Sequence, residues 1–273
     1  MSDTTVAAPP PWAAARRPRP TWGLHEGDEL APGRTVLRRI GGGRRYEAFL
    51  VWDEHRLAVL VAKVLRPDMA TDPTALRDLE READFVARLA HPVLVRGFGA
   101  GLEGRFPHLV LEHLDGPTLD ELLAQQGPLA LEQLLPLGLH VASALHYLAG
   151  ERVVHLDVKP SNIVMGGPPR LIDLSVARTF EDAAELRIPI GTDAFMAPEQ
   201  QAPNGDVGPA ADIFGLARTL ARALPRRTPR ELAAIVTAGL ADDPAARPTA
   251  REFAVALEPL VAALPRRMTL GRR

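Results

Sequence analysis

The stretch Val154-His155-Leu156-Asp157-Val158-Lys159-Pro160-Ser161-Asn162 decides how this chain is read. It packs an acid (Asp157), a base (Lys159), a conformation-fixing proline (Pro160) and an amide (Asn162) into nine positions. Val153 and Val154 lead into it and Ile163, Val164 and Met165 follow, so a short polar loop lies between buried segments. Rigid scaffolds present reactive groups on such loops. A second acid, Asp173, follows in the apolar run Arg170-Leu171-Ile172-Asp173-Leu174. Two acids and an amide converging on one cleft meet the needs of a Mg²⁺–phosphate site: hard oxygens for the metal, and a separate carboxylate to position a nucleophile. A surface turn with a few charges would explain Asp157 alone. It does not explain the whole string followed by Leu-Ile-Asp.

Working outward, Ala58 to Leu65 (A-V-L-V-A-K-V-L) is a nearly continuous apolar strand with one lysine, Lys63. A lysine there must bury its stem and find an anionic partner, unless it snorkels from a sheet edge. Asp72-Pro73 opens a helix with a cap and a proline at its first position. Leu76, Leu79, Ala83, Val86 and Leu89 form its apolar stripe, and Glu82 falls on the same face. A carboxylate on a core-facing stripe needs a cation, and Lys63 is the obvious one. Were Glu82 at the edge of the stripe, water or Arg77, Arg81 and Arg88 would serve instead. Val36 to Asp53 reads as two strands around Gly41-Gly42-Gly43, a weak signal that an ordinary hairpin turn would also give.

The chain has 273 residues, 46% hydrophobic and 24% charged, enough for one two-lobed domain with a sizeable core. A formal net charge of −2 gives no pull toward nucleic acid or an anionic membrane. Cysteine is absent, which excludes a disulfide framework and a Cys-based metal site. No apolar run is long enough to span a bilayer and no leader pattern opens the chain, so a cytoplasmic location is expected.

From about Leu30 to Leu264 the chain resembles a bacterial eukaryotic-like (Hanks-type) Ser/Thr protein kinase. The resemblance rests on V-A-K-V around Lys63, the loop ending at Asn162, Leu-Ile-Asp at Asp173, G-T-D-A-F-M-A-P-E at Gly191 to Glu199, and D-P-A-A-R-P at Asp243 to Pro248. It implies an α+β, two-lobed kinase fold. A small, mainly antiparallel N-lobe (30–114) with one long helix would precede a larger helical C-lobe (115–264), between a disordered tail (1–29) and a basic tail (265–273). It implies ATP and Mg²⁺, with Mn²⁺ as a substitute, and transfer of the γ-phosphoryl group to a Ser or Thr hydroxyl. Asp157 would accept the substrate proton and Lys159 steady the phosphoryl group; Asn162 and Asp173 would hold the metal. Gly41, Gly43, Ala48, Lys63 and Glu82, with the backbone of Glu112 and Leu114, would form the nucleotide site. Asp212 would hydrogen-bond the catalytic-loop backbone, and Arg247 would pair with Glu199. Thr192 with Lys159 resembles Ser/Thr rather than Tyr kinases.

Four departures stand beside the likeness. Tyr46 replaces the third flap glycine, Leu156 replaces the common arginine before the catalytic acid, and Ser175 replaces the glycine after Asp173-Leu174. Only Pro225 to Arg227 separate the helices expected at Ala210–Leu224 and from Thr228-Pro229, so one helix of the family's C-lobe is missing. Between Val176 and Gly191 the only hydroxyl is Thr179. With the loop arginine also gone, activation-segment phosphorylation is expected to be dispensable. A pseudokinase scaffold acting through protein partners is the alternative, and a small-molecule phosphotransferase a third reading. Trp12 and Trp22 are unusual in the proline-rich tail, and Thr269 after two arginines is a candidate phosphoacceptor.

Overall fold

A strand that is apolar on both faces needs cover on both sides, and the position of Ala58–Leu65 supplies it. The structure is a computed structural model describing residues 19–202 and 206–265. Strands β1 (Glu29–Ala31), β2 (Arg34–Gly42), β3 (Tyr46–Asp53), β4 (Ala58–Leu65), β5 (Gly97–Gly101) and β6 (His108–Glu112) form one antiparallel sheet. Its order is β1-β2-β3-β4-β6-β5, which puts β4 in the middle. Helix α1 (Pro73–Arg88) packs on one face, with Ala75, Leu79, Phe85 and Val86 buried. The other face buries Val36, Phe49, Val51, Leu60, Ala62 and Val110, capped by Trp22, Leu24, Phe98 and Phe106.

The C-lobe is built on α3 (Leu131–Gly150), whose length and apolar surroundings match its sequence, with α2 (Leu119–Gln126) ahead of it. Short pairs follow: β7 (Val153–Val154), β8 (Ile163–Val164), β9 (Arg170–Leu171) and β10 (Arg178–Thr179), with β7 on β10 and β8 on β9. Helices α4 (Phe180–Ala184), α5 (Pro198–Gln201), α6 (Pro209–Ala223), α7 (Arg230–Gly239) and α8 (Ala250–Ala262) complete it. One core runs from the lower sheet face through α1 into α3, α6 and α8, so both lobes share it.

Capping boxes form as expected at Thr118/Glu121 and Thr249/Glu252, and Asp72 caps α1. Three expectations are corrected. The box at Thr228/Glu231 does not form: Pro229 is the N-cap, and the Thr228 hydroxyl donates to the Pro225 carbonyl at 2.7 Å. The strand expected at Val93 to Gly99 begins only at Gly97. The tail does not run to Glu29, since residues from Arg19 onward lie on the N-lobe. The Trp22 indole donates to the Leu65 carbonyl at 2.6 Å and meets the Phe106 ring edge-on at 4.9 Å. The need of β3 and β4 for a second apolar cover draws it there. Residues 1–18 with Trp12, and 266–273 with Thr269, lie outside the described residues.

Candidate active site

A cleft of about 650 Å³ is lined by Lys63 of the N-lobe and by Asn162 and Asp173 of the C-lobe, and a side-chain cluster stands behind each. The upper cluster starts from β-register. Ala48 pairs with Lys63 across β3 and β4, and one-in-two alternation puts Tyr46 on the same face, toward α1 and the cleft. The Lys63 ammonium donates to both Glu82 oxygens at 2.8 Å and to Asp173 Oδ1 at 2.6 Å. One ammonium cannot neutralise two carboxylates, the buried Glu82 and the half-buried Asp173. Burial, opposed by Lys63, pushes Glu82 up to about 7. Burial acts the same way on Asp173, but there the Lys63 charge and hydrogen bond win and hold it well below the usual carboxylate range. Burial would lower Lys63, yet Asp173 and Glu82 together keep it raised. Lys63 and Asp173 therefore carry charge, and Glu82 is the weaker acid.

The lower cluster is the loop itself. Asp157 Oδ2 meets Lys159 Nζ at 2.7 Å, and its Oδ1 accepts the Thr192 hydroxyl at 2.7 Å. Lys159 also donates to Thr192 Oγ1 at 2.6 Å. The Asn162 amide nitrogen donates to the Asp157 carbonyl at 2.9 Å and to Oδ2 at 3.0 Å, leaving its oxygen as the atom not consumed there. Leu156 and Asp173 hold left-handed backbone, at φ 65° and 69°, where a non-glycine residue is costly. Asp212 offsets the first of these: its carboxylate accepts the backbone N–H groups of His155 and Leu156, each at 2.7 Å. Burial raises Asp212, and those two donors oppose it. Gly191, at φ 123°, passes so close that an added Cβ would lie 2.6 Å from the Leu156 carbonyl oxygen. Arg247 grips Glu199 through two bonds of 2.7 and 2.8 Å. His155 is fully buried, as a scaffold histidine would be.

At the back of the cleft lie Ala48, Val61, Leu111, Leu114, Val164 and Ile172, an apolar slot suited to a flat ring. Glu112 Oε1 accepts the Arg96 N–H at 2.6 Å and pairs with Arg170, tying this connection to β9.

The flap differs from expectation. The Gly43 N–H closes the turn onto the Tyr46 carbonyl at 2.9 Å, so it is spent within the backbone. Gly42, at φ 151°, leaves no room for a Cβ, which would lie 2.7 Å from that same oxygen. Above the turn, Arg66 donates to the Gly43 and Pro20 carbonyls, both at 3.0 Å, and Arg19 to the Arg44 carbonyl at 2.8 Å. The pre-domain segment thus straps the flap. Tyr46 points inward with its ring over Lys63, while Arg45 reaches α1.

Sequence reasoning missed Asp78. It is buried on α1 and accepts Arg45 of the flap at 2.5 Å and Arg81 at 2.7 Å, with Arg178 of the β10 segment at 3.8 Å. Burial would raise its pKa, but the guanidiniums lower it. Its position, four before Glu82, was the available signal. Ser175 lies outside left-handed backbone, so its side chain costs nothing there. Leu156, which stands in place of the family's common arginine, packs into a cluster with Val154, Ala183, Ala197 and Phe180.

With this geometry in hand, relatives can be compared. Residues 34–235 match the model of the protein kinase domain, and the chain belongs to that family. Serine/threonine-protein kinase PknB of Mycobacterium leprae is 30% identical over 186 residues, 65% of this chain and 30% of that protein. A probable serine/threonine-protein kinase, SCO3848, of Streptomyces coelicolor is 34% identical over 183 residues, 63% of this chain and 26% of that protein. The matched part is thus under a third of those relatives' length. The crystal structure of the Mycobacterium tuberculosis PknI kinase domain matches with a TM-score of 0.69 and 26% identity, covering 87% of this chain and 99% of that one. The fold is the two-lobed α+β kinase fold, and these relatives are bacterial serine/threonine-protein kinases. ATP and a divalent cation go with the family. Among the described residues no helix is long and apolar enough to cross a membrane.

Proposed function

We propose that this chain transfers the γ-phosphoryl group of Mg²⁺–ATP to a Ser or Thr hydroxyl of a protein, and that it does so without phosphorylation of its activation segment. One observation carries the first part: Lys63, Glu82 and Asp173 are bonded together, Asp157, Lys159 and Asn162 are bonded together, and the Ile172 N–H donates to the Asn162 carbonyl at 2.9 Å, so the two groups adjoin at the cleft. Transfer of this kind rests on positioning and charge rather than covalent chemistry. The nucleotide supplies the phosphoryl group, and a divalent cation, with Mn²⁺ as a substitute for Mg²⁺, neutralises its charge.

The donor set fits such a group. Among the described residues no cluster of three or more His, Asp or Glu could hold a metal alone, so Asp173 and Asn162 suit a cation that keeps phosphate and water ligands. Lys63 would trade Asp173 for phosphate oxygen, and Glu82 would keep it aimed. Asp157 is positioned by Asn162 to orient the hydroxyl and take its proton; Lys159 and Thr192 hold that carboxylate in place. The slot beside Glu112 and Leu114 would take the adenine, with Ala48 above it and Gly41 and Gly43 in the flap over the phosphates.

Independence from phosphorylation is supported by Leu156 and Asp78. The loop position that would clamp a phosphate is an apolar contact, and a fixed carboxylate on α1 already gathers Arg45, Arg81 and Arg178. The Thr179 hydroxyl is engaged as the N-cap of α4, accepting the Asp182 N–H at 3.1 Å.

Labelled ATP and Mg²⁺ test this directly. Wild-type protein is expected to transfer label to a Ser/Thr protein substrate, with Asp157→Asn slower by about 10²–10⁴-fold. Equal signals from both would refute catalysis by this loop. A thermal shift with Mg²⁺–ATP but no transfer would favour the scaffold reading, which Tyr46 motivates.

A further inference from the structure

The flap position that is glycine in the family's pattern carries Tyr46 here, and the mechanism above does not use it. Its side chain lines the cleft and is 8% exposed. The ring centroid lies 4.4 Å from Lys63 Nζ, so the aromatic face covers the ammonium. Its hydroxyl is buried and has no hydrogen-bond partner among the described residues. The nearby carboxylates, Glu82 and Asp173, are both engaged by Lys63. A buried O–H donor without an acceptor, on a residue that lines the cleft, is an unusual arrangement, and proteins rarely keep one without use.

The flap has also given up a donor. The Gly43 N–H, which would otherwise face an anion, closes the turn onto the Tyr46 carbonyl. The residue that takes this backbone donor therefore brings a side-chain donor to the same end of the cleft. We propose that the Tyr46 hydroxyl is a phosphate ligand of the nucleotide site, donating a hydrogen bond to an anionic phosphate oxygen in place of flap backbone. Burial pushes the phenol up to about 12, so at neutral pH it keeps its proton and can donate. Because the contact is to phosphate and not to the ring in the apolar slot, it discriminates phosphate-bearing ligands from the bare nucleoside. It stabilises what Lys63 binds and leaves proton transfer at Asp157 untouched.

This inference rests on the cleft being a nucleotide site, and calorimetry with Mg²⁺–ATP, Mg²⁺–ADP and adenosine separates the two ideas. Wild-type protein that bound none of the three would refute the nucleotide reading and this proposal with it. If wild-type protein binds, Tyr46→Phe is expected to weaken Mg²⁺–ATP about tenfold, the usual cost of losing a hydrogen bond to a charged group, and adenosine by less than about twofold. Without nucleotide, Tyr46→Phe should melt no lower than wild type, because the hydroxyl has no protein partner to lose. Unchanged Mg²⁺–ATP affinity in Tyr46→Phe would overturn the proposal alone. So would tighter Mg²⁺–ATP binding by Tyr46→Gly, which would mark the ring as an obstruction. A clear loss of unliganded stability in Tyr46→Phe would also overturn it, by assigning the hydroxyl a structural role.

Discussion

The flap and the catalytic loop face each other across one cleft, but they are held by different means. The loop is fixed from beneath by buried charge: Asp212 grips its backbone, and Arg247 grips Glu199 at the end of the neighbouring segment. The flap is fixed from above and behind. Trp22, Arg19 and Arg66 strap it, and Arg45 anchors it to Asp78. The loop depends on side chains within a short run of sequence plus two distant partners. The flap depends on a segment that lies before the domain as the family usually begins. The loop is therefore expected to fail by loss of folding and the flap by loss of nucleotide grip.

The largest expected effect breaks the loop's side. Arg247→Ala leaves Glu199 as a buried, unpaired charge and should cost about 3–5 kcal/mol, read from urea unfolding. A loss below about 1 kcal/mol would mean that solvent reaches the pair.

Next comes the joint between the two regions. Asp78→Asn removes the charge that gathers Arg45, Arg81 and Arg178. Misplacing Glu82 and the flap together should lower kcat by about tenfold to a hundredfold, measured under saturating ATP. If only the ATP KM rose, Asp78 would serve the flap and not the joint.

The strap is weaker. Trp22→Ala removes the indole bond to Leu65 and the edge-on contact with Phe106, worth about 2 kcal/mol together. The ATP KM should rise with little change in kcat, which steady-state kinetics would resolve.

The last test is a pH slope. Glu82 sits at about 7 in the folded chain against an ordinary 4.5. Between those values the unfolded chain has released a proton that the folded chain still holds. Its contribution to stability is therefore full below the lower value and is lost as pH rises toward the upper one. Glu82→Gln should flatten the fall across that window in thermal melts; an unchanged slope would assign it to another group.

The same contrast explains what the sequence could tell. The loop was legible because its chemistry needs fixed residue types at short spacing; Lys63 and Glu82 then found each other by charge, while the partners of Asp212 and Arg247 followed only from the family resemblance. The flap was less legible. Its glycines act through backbone, where a hairpin turn and a phosphate cradle look alike, and only coordinates show the Gly43 N–H turned inward. The strap was hidden because a proline-rich stretch reads as a tail. Trp22 was a visible oddity, and the two-faced apolar pattern of β4 already demanded a second cover. Asp78 was missed because attention to the helical stripe favoured apolar positions, although a buried acid beside three arginines is an equally physical pattern. The α7 start was misplaced because Thr228 and Glu231 imitate a capping box, while Pro229 sets the boundary instead.

The central claim is that charge and packing already built into the fold hold this site ready. The most direct measurement is the initial rate of labelled phosphate transfer by phosphatase-treated protein, compared with untreated protein and with Thr179→Ala. The account predicts equal rates with no lag, and a loss of about 1 kcal/mol of stability in Thr179→Ala from the lost N-cap. A lag that ends as Thr179 becomes phosphorylated, or no transfer by Thr179→Ala, would contradict it.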